Sequence, residues 1–148
     1  MTDQDIILGW SIIGARKEGA PLFFSRPVGG GGQHGRFPGT TKIGDAGSDL
    51  FKDPTIVAIN KFRNAMYKEQ EYIRNLGTDQ GLVMIERGQH GAVVTNLTVV
   101  DKDFSSATNL ADGQYKDAIT GYIFEVSNKQ ITGKMAPRTV AVLYPITQ

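Results

Sequence analysis

The sequence predicts an α/β segment over residues 1–67 followed by an all-β segment over residues 71–148. Three observations predict it. Two stretches with helix-cap signals and wide apolar faces, 2–17 and 53–67, flank the short apolar run "APLFFS". From Glu71 onward the runs are short and β-branched or alternating. Clusters with turn chemistry separate those runs at regular intervals.

The first helix is expected from Thr2 to Lys17. Thr2 offers an N-cap, Asp3 and Asp5 occupy the first turn where the helix dipole favours anions, and Arg16 and Lys17 occupy the last. Gly19 supplies a left-handed stop. Ile6, Trp10 and Ile13 share one face, which Ile7, Leu8 and Ile12 broaden; a stripe that wide predicts packing against a sheet. Pro21–Ser25 then reads as a strand buried on both faces, as in parallel sheets. In the second helix Asp53 is the N-cap and Pro54 the first helical residue, where its missing N–H costs nothing. Ile56, Val57, Ala58, Ile59, Phe62, Ala65 and Met66 form the apolar side.

In the second half "EYIRNL", "GLVMIERG", "GAVVTNLTVV", "GYIFEVSN", "QITGKM" and "RTVAVLYP" read as strands. "GTDQG", "RGQHG", "NLADGQ" and "SNKQ" read as the turns between them. That spacing predicts an antiparallel sandwich or barrel, with the seam between the halves at Lys68–Gln70.

Composition narrows the function classes. The chain has 148 residues, 40% of them hydrophobic, enough for a packed core. Sixteen basic against fifteen acidic side chains leave a charge of +1, so no long-range field gathers nucleic acid or acidic lipid. With no cysteine, disulfides, zinc ribbons and thiol nucleophiles are excluded together. No apolar run approaches the roughly 20 residues of a membrane span and no signal sequence opens the chain, so a soluble chain is expected.

The segment "SRPVGGGGQHGRFPGTTKIGD", 25–45, contains a literal G-x-G-x-x-G at Gly30, Gly32 and Gly35. A dinucleotide fingerprint needs those glycines directly between a strand and its helix. Here Pro38 and Gly39 follow, and the next helix waits until Asp53. Lys42 comes after two threonines, so the Walker arrangement fails as well. Phe37, Pro38, Ile43, Leu50 and Phe51 are too many anchors for a linker, and an ordered functional loop is the better reading.

The remaining candidates each have a plain structural use. His34 is a lone loop histidine and His90 sits in the predicted turn "RGQHG". Asp45, Asp49 and Asp53 recur every four residues but lack the alternating ligands and closing glutamate of a calcium loop. "NLT" at Asn96–Thr98 matches a glycosylation sequon. Tyr72, Tyr115, Tyr122 and Phe124 could form a sugar-stacking surface or serve as core and edge residues. No Ser-His-Asp set or metal cluster assembles, so no catalytic or metal-ligating residue is expected in this chain.

"LFFSRP", "RFPG" and "IGDAGSDLF", in that order, together with "IERGQHGAVVTNL" and "PRTVAVLYP", resemble the C-terminal part of bacterial saccharifying-type α-amylases of glycoside hydrolase family 13. The resemblance covers nearly the whole chain and is strongest over residues 6–66. It implies a map: 2–17 as the seventh helix of a (β/α)8 barrel, 21–25 as its eighth strand, 53–67 as its eighth helix, and 71–148 as the antiparallel β-sandwich called domain C. It implies retaining hydrolysis of internal α-1,4-glucosidic bonds of starch, with the catalytic aspartate, glutamate and second aspartate upstream of Met1. This chain alone would then be inactive.

The same resemblance implies calcium for the full-length family, none of it held by this chain, and a secreted enzyme. Its partners would be starch or maltooligosaccharides, through the full enzyme, and the missing N-terminal barrel; nucleic acid and membrane are not expected. Arg26, at the carboxyl end of the eighth strand, falls on the face where barrel enzymes place their active sites. By the same map, His34 and Arg36 fall near the glucan-binding rim. The alternative function class is a non-catalytic carbohydrate-binding or interaction module.

Overall fold

The computed structural model describes residues 1–28, 42–75 and 81–147. Among them are two α-helices, α1 (Asp3–Ala15) and α2 (Pro54–Ala65), the latter entered through a 3-10 turn at Leu50–Lys52. Eight strands follow: β1 (Glu71–Arg74), β2 (Leu82–Arg87), β3 (Gly91–Asn96), β4 (Lys102–Ala107), β5 (Gly113–Asp117), β6 (Ile123–Ser127), β7 (Gln130–Met135) and β8 (Val140–Pro145).

Both helix starts lie where the caps predict them. The Thr2 amide donates to the Asp5 carboxylate at 2.7 Å and the Asp5 amide donates to the Thr2 hydroxyl at 3.2 Å, a closed capping box. The Asp53 carboxylate accepts from the Thr55 amide at 2.8 Å, with Pro54 in the first turn. The end of α1 differs from expectation. It stops at Ala15 because Arg16 turns to an extended conformation, leaving Gly19, at φ +82°, in the turn beyond the cap.

The buried face of α1 is also rotated. Ile7, Leu8, Trp10, Ser11, Gly14 and Ala15 are buried, while Ile13 is 52% exposed. Two small residues set this face. A Cβ on Gly14 would lie 2.6 Å from Ile59 Cγ2, so glycine is what lets α2 approach this closely. The Ser11 hydroxyl sits 2.7 Å from both the Leu8 carbonyl and the Thr95 hydroxyl, which satisfies it inside the core.

The eight strands form one antiparallel sheet in the order β1-β2-β3-β8-β5-β6-β7-β4, nearer to the barrel than to the sandwich of the two expected forms. The reason is β8, which pairs with β3 on one edge and with β5 on the other, so Leu143 lies opposite both Ala92 and Asp117. What would have been two layers is one sheet curled over its own core. Strands β4 and β5 are additions to the reading. In β4 only Phe104 is a large inward residue, and in β5 Tyr115 alternates with the charged Lys116 before a buried Asp117.

Period-2 alternation sorts the central strands between two cores. Val83, Ile85, Val93, Val140 and Val142 face α1 and α2. Leu82, Met84, Val94, Ala141 and Leu143 face inward against Phe104, Phe124 and Ile131. Hence β2 and β3 are buried at every position, in an antiparallel sheet that carries helices on one face. The β6–β7 hairpin turns on Asn128 and Lys129, both at positive φ, as a two-residue turn between right-twisted strands requires.

Polar side chains tie the helices to the sheet. Arg87 on β2 is 2% exposed and donates to the carbonyls of Ala15 (3.1 Å), Arg16 (3.2 Å), Met66 (2.7 Å) and Glu69 (3.3 Å). One guanidinium thus caps the carboxyl ends of both helices, where the dipoles favour a cation. Burial pushes its pKa below the usual arginine range, and the charge of Glu71 draws it back. At the other end of α1, Arg138 pairs with Asp5, and Gln4 donates to the Arg138 carbonyl at 2.6 Å.

Two of these carboxylates make stability depend on acid. Burial alone would raise the Glu71 pKa, but hydrogen bonds from Arg16 (2.8 Å) and the Lys17 amide (2.7 Å) outweigh it and hold the value below the ordinary 4.5. The Thr2 amide and hydroxyl, then Arg138, hold Asp5 below its ordinary 3.8. A depressed native pKa contributes stability that is whole above the unfolded value and is lost as pH falls through the native one. The urea midpoint of the native chain should therefore fall between pH 6 and pH 3, and Glu71→Gln should fall by less over the same interval. Equal falls would remove Glu71 from the acid limb.

Candidate functional site

Residues 21–28 lie against α1 as a strap, and Pro21–Ser25, where the sequence predicts a strand, are unpaired in this chain. Among the described residues these five pair with no strand, and the strap's backbone is tied at its far end. There Pro27 bridges Gly47, and the Ser48 amide donates to the Arg26 carbonyl at 2.7 Å. A Cβ on Gly47 would lie 3.2 Å from that same carbonyl, so a glycine fits this close crossing. Only one side of the strap finds a partner. Phe23 meets the Trp10 ring edge-to-face at 5.1 Å, and Trp10 in turn donates to the Asn60 side chain at 2.9 Å. Leu22 and Phe24 point away and are 88% and 70% exposed.

Between the strap and 46–50 lies a cleft of about 550 Å³, lined by Ile6, Phe23, Arg26, Val28, Ser48 and Leu50 among others. Asp3 and Asp49 reach the same cleft, but among the described residues neither forms an ion pair with Arg26; Asp49 lies 3.9 Å from Lys52 instead. The cleft therefore offers a half-buried cation, two carboxylates and an apolar wall. His34 and Arg36, the other two residues assigned to this loop, lie outside the described residues.

The remaining sequence candidates have structural employment. His90 is exposed in the turn between β2 and β3. Asp45 accepts from the Lys42 amide at 2.8 Å and Asp53 caps α2, and no group of three His, Cys, Asp or Glu among the described residues could hold a metal ion. In the sequon, the buried Asn96 amide donates to the Val100 and Ala136 carbonyls at 3.0 and 2.9 Å, while its oxygen accepts from the Thr98 amide and hydroxyl. That side chain closes a turn and has no free amide edge.

The four aromatics do not form one surface. Tyr115 and Phe124 are buried, the Tyr115 hydroxyl donating to the carbonyls of Gln89 and Ala111 at 3.0 and 2.9 Å. Burial raises the Tyr115 pKa. Tyr72, on β1, and Tyr122, just before β6, are exposed at places far apart in the sheet order.

Sequence reasoning missed three buried charged side chains. Glu86, fully buried on β2, accepts from Arg74 Nε at 2.6 Å, from the Asn109 amide at 2.9 Å and from the Thr108 hydroxyl. Asp117 accepts from the amides of Ile119, Thr120 and Val142 at 3.1, 3.1 and 2.8 Å. Arg87 is the third. Each charge sits at the end of its strand, where a sequence pattern reads only a polar boundary.

A sheet of this kind with two helices defines a class: it is the fold of part of α-amylase structures. Over 98% of this chain it matches 35% of a glutamate-to-glutamine variant of the amylase AmyP in complex with maltotriose, at a TM-score of 0.62 and 10% identity. Over 95% it matches 35% of a similar variant of α-amylase I from Eisenia fetida in complex with maltohexaose, at 0.63 and 12%.

The sequence comparison is more particular. The chain is similar to an α-amylase from Butyrivibrio fibrisolvens, 38% identical over 146 residues, which is 95% of this chain and 15% of that protein. It is 34% identical to an α-amylase from Clostridium acetobutylicum over 150 aligned residues, 97% of this chain and 17% of that protein. The chain thus spans about a sixth of the length of the curated relatives it matches. No family model matches it. The resemblance to bacterial α-amylases carried by the sequence motifs is borne out.

Proposed function

We propose that this chain is the C-terminal part of a secreted α-amylase that cleaves internal α-1,4-glucosidic bonds of starch with retention. In this reading residues 1–67 are the last helix, strand and helix of a (β/α)8 barrel, and 71–148 are the β domain that follows it. The catalytic carboxylates, and any calcium, belong to the upstream barrel. The observation that carries the reading is the strap at 21–28. It is an extended-length segment with one packed side, a second apolar side in solvent and no strand partner among the described residues. Val28 and Ile43 are further exposed apolar side chains near its end, at 61% and 107% exposure. A soluble domain does not keep such a surface open without something to cover it, and neighbouring barrel strands would pair the backbone and cover Leu22 and Phe24 together.

Arg26, at the cleft end of this strap, then supports the catalytic floor as a positioning residue, through charge and hydrogen bonds. His34 and Arg36 follow it toward the rim. Starch hydrolysis is expected when this chain is joined to the upstream barrel, and not from the chain alone. In the joined protein Arg26→Ala should lower kcat on soluble starch on the order of 100-fold with a smaller change in KM, and Arg26→Lys should restore part of it. Full turnover in Arg26→Ala would remove Arg26 from the active-site face. No hydrolysis by the joined protein would reject the function itself.

A further inference from the structure

A second cleft, of about 750 Å³, lies across β4, β7 and the start of β6 and shares no lining residue with the first. Register builds it. Asp103 and Lys134 face each other across β4 and β7, and both side chains point outward, 88–89% exposed, 3.9 Å apart. Glu125 lies opposite Thr132, so Ile123, two residues earlier on β6, lies beside Lys134 on the same outer row. Beyond it stands Tyr122, 65% exposed although its backbone is tied down at both sides. Its amide donates to the Thr120 hydroxyl at 3.3 Å and its carbonyl accepts from the Asp117 amide at 2.9 Å.

An open aromatic ring on a fixed backbone, an aliphatic neighbour in Ile123, and carboxylates at Asp101 and Asp103 with an ammonium at Lys134 form a specific combination. The ring face suits the C–H face of a pyranose, and the charged rim suits its hydroxyls. An exposed ion pair at 3.9 Å gives little stability, so its members can turn to a ligand. A protein-docking core needs several desolvated anchors together, and here one aromatic is ringed by charge.

We infer that the Tyr122 cleft is a binding site for an α-glucan chain, separate from the site of hydrolysis; the choice of glucan over other polyols rests on the amylase reading. The test is native electrophoresis of the full chain through gels containing soluble starch or, as control, dextran. Starch, and not dextran, should retard the chain. Tyr122→Ala should weaken starch affinity about tenfold or more, Tyr122→Phe should keep it, and Tyr72→Ala, a second exposed tyrosine, on β1, should leave it unchanged. Equal mobility in both gels, or retardation unchanged in Tyr122→Ala, overturns the site. Self-association lost in Tyr122→Ala, without starch retardation, overturns it in favour of a protein contact. Hydrolysis by the chain joined to its barrel is read in a separate assay, so failure of the amylase reading and failure of this site register independently.

Discussion

Arg87→Met should destabilise the chain by about 3–5 kcal/mol, and the loss should appear in the packing of the helices on the sheet. The substitution keeps much of the side-chain length but removes every donor from a group that serves four carbonyls. The contacts to the Ala15 and Met66 carbonyls are buried, where water cannot replace the lost bonds. Arg63 does not compensate, because it already donates to the carbonyls of Gly14, Arg16 and Gly19 around the same turn. Arg87→Lys should fall between the two, since an ammonium keeps the charge at the helix ends without the planar fork that reaches several acceptors. Urea unfolding followed through Trp10, the one tryptophan, checks this directly. A midpoint within error of the native chain for Arg87→Met would mean the guanidinium only fills space.

Glu86→Ala should cost a similar amount, about 3–5 kcal/mol, for the converse reason. Its carboxylate is fully buried, and without it the Arg74 guanidinium, 26% exposed, loses its anion while the Asn109 amide loses its acceptor. Glu86→Gln retains an oxygen for the Asn109 amide and should cost about 1–2 kcal/mol. Replacing Arg74 and Glu86 together by methionines should recover most of the single-site loss, since desolvating an ion pair is itself costly. If the double variant is no more stable than Glu86→Ala, the pair does not act as a unit.

These two residues also mark where sequence reasoning stops. Caps are local, so Thr2, Asp53 and Pro54 could be read correctly from neighbours a few positions away. The central strands were legible because burial on both faces demands an unbroken apolar run, as in "LVMI" and "AVV". The strands β4 and β5 were not, because their inward positions use single aromatics beside serine, lysine and a buried aspartate satisfied by a distant amide. The rotated face of α1 escaped for a related reason. Hydrophobicity scales rank Ser11 and Gly14 as surface residues, while close helix packing selects them for size. At the candidate site, Arg26 could be placed at the end of its segment, and the structure sets it in a cleft. In the proposed reading the partners it would act with lie outside this stretch of chain and leave no pattern in it.

The position of β8 has a consequence for how the molecule comes into being. It is the last strand in the chain but sits fourth in the sheet, between β3 and β5. Synthesis runs from the amino end, so β1–β3 and β4–β7 emerge as two separate antiparallel ribbons, each with an unpaired inner edge. Neither ribbon has its neighbour until residues 140–145 have left the ribosome. The slow step of folding is then insertion of one late strand between two waiting ones. The interval before it is when the chain is most exposed to sticking to another copy of itself.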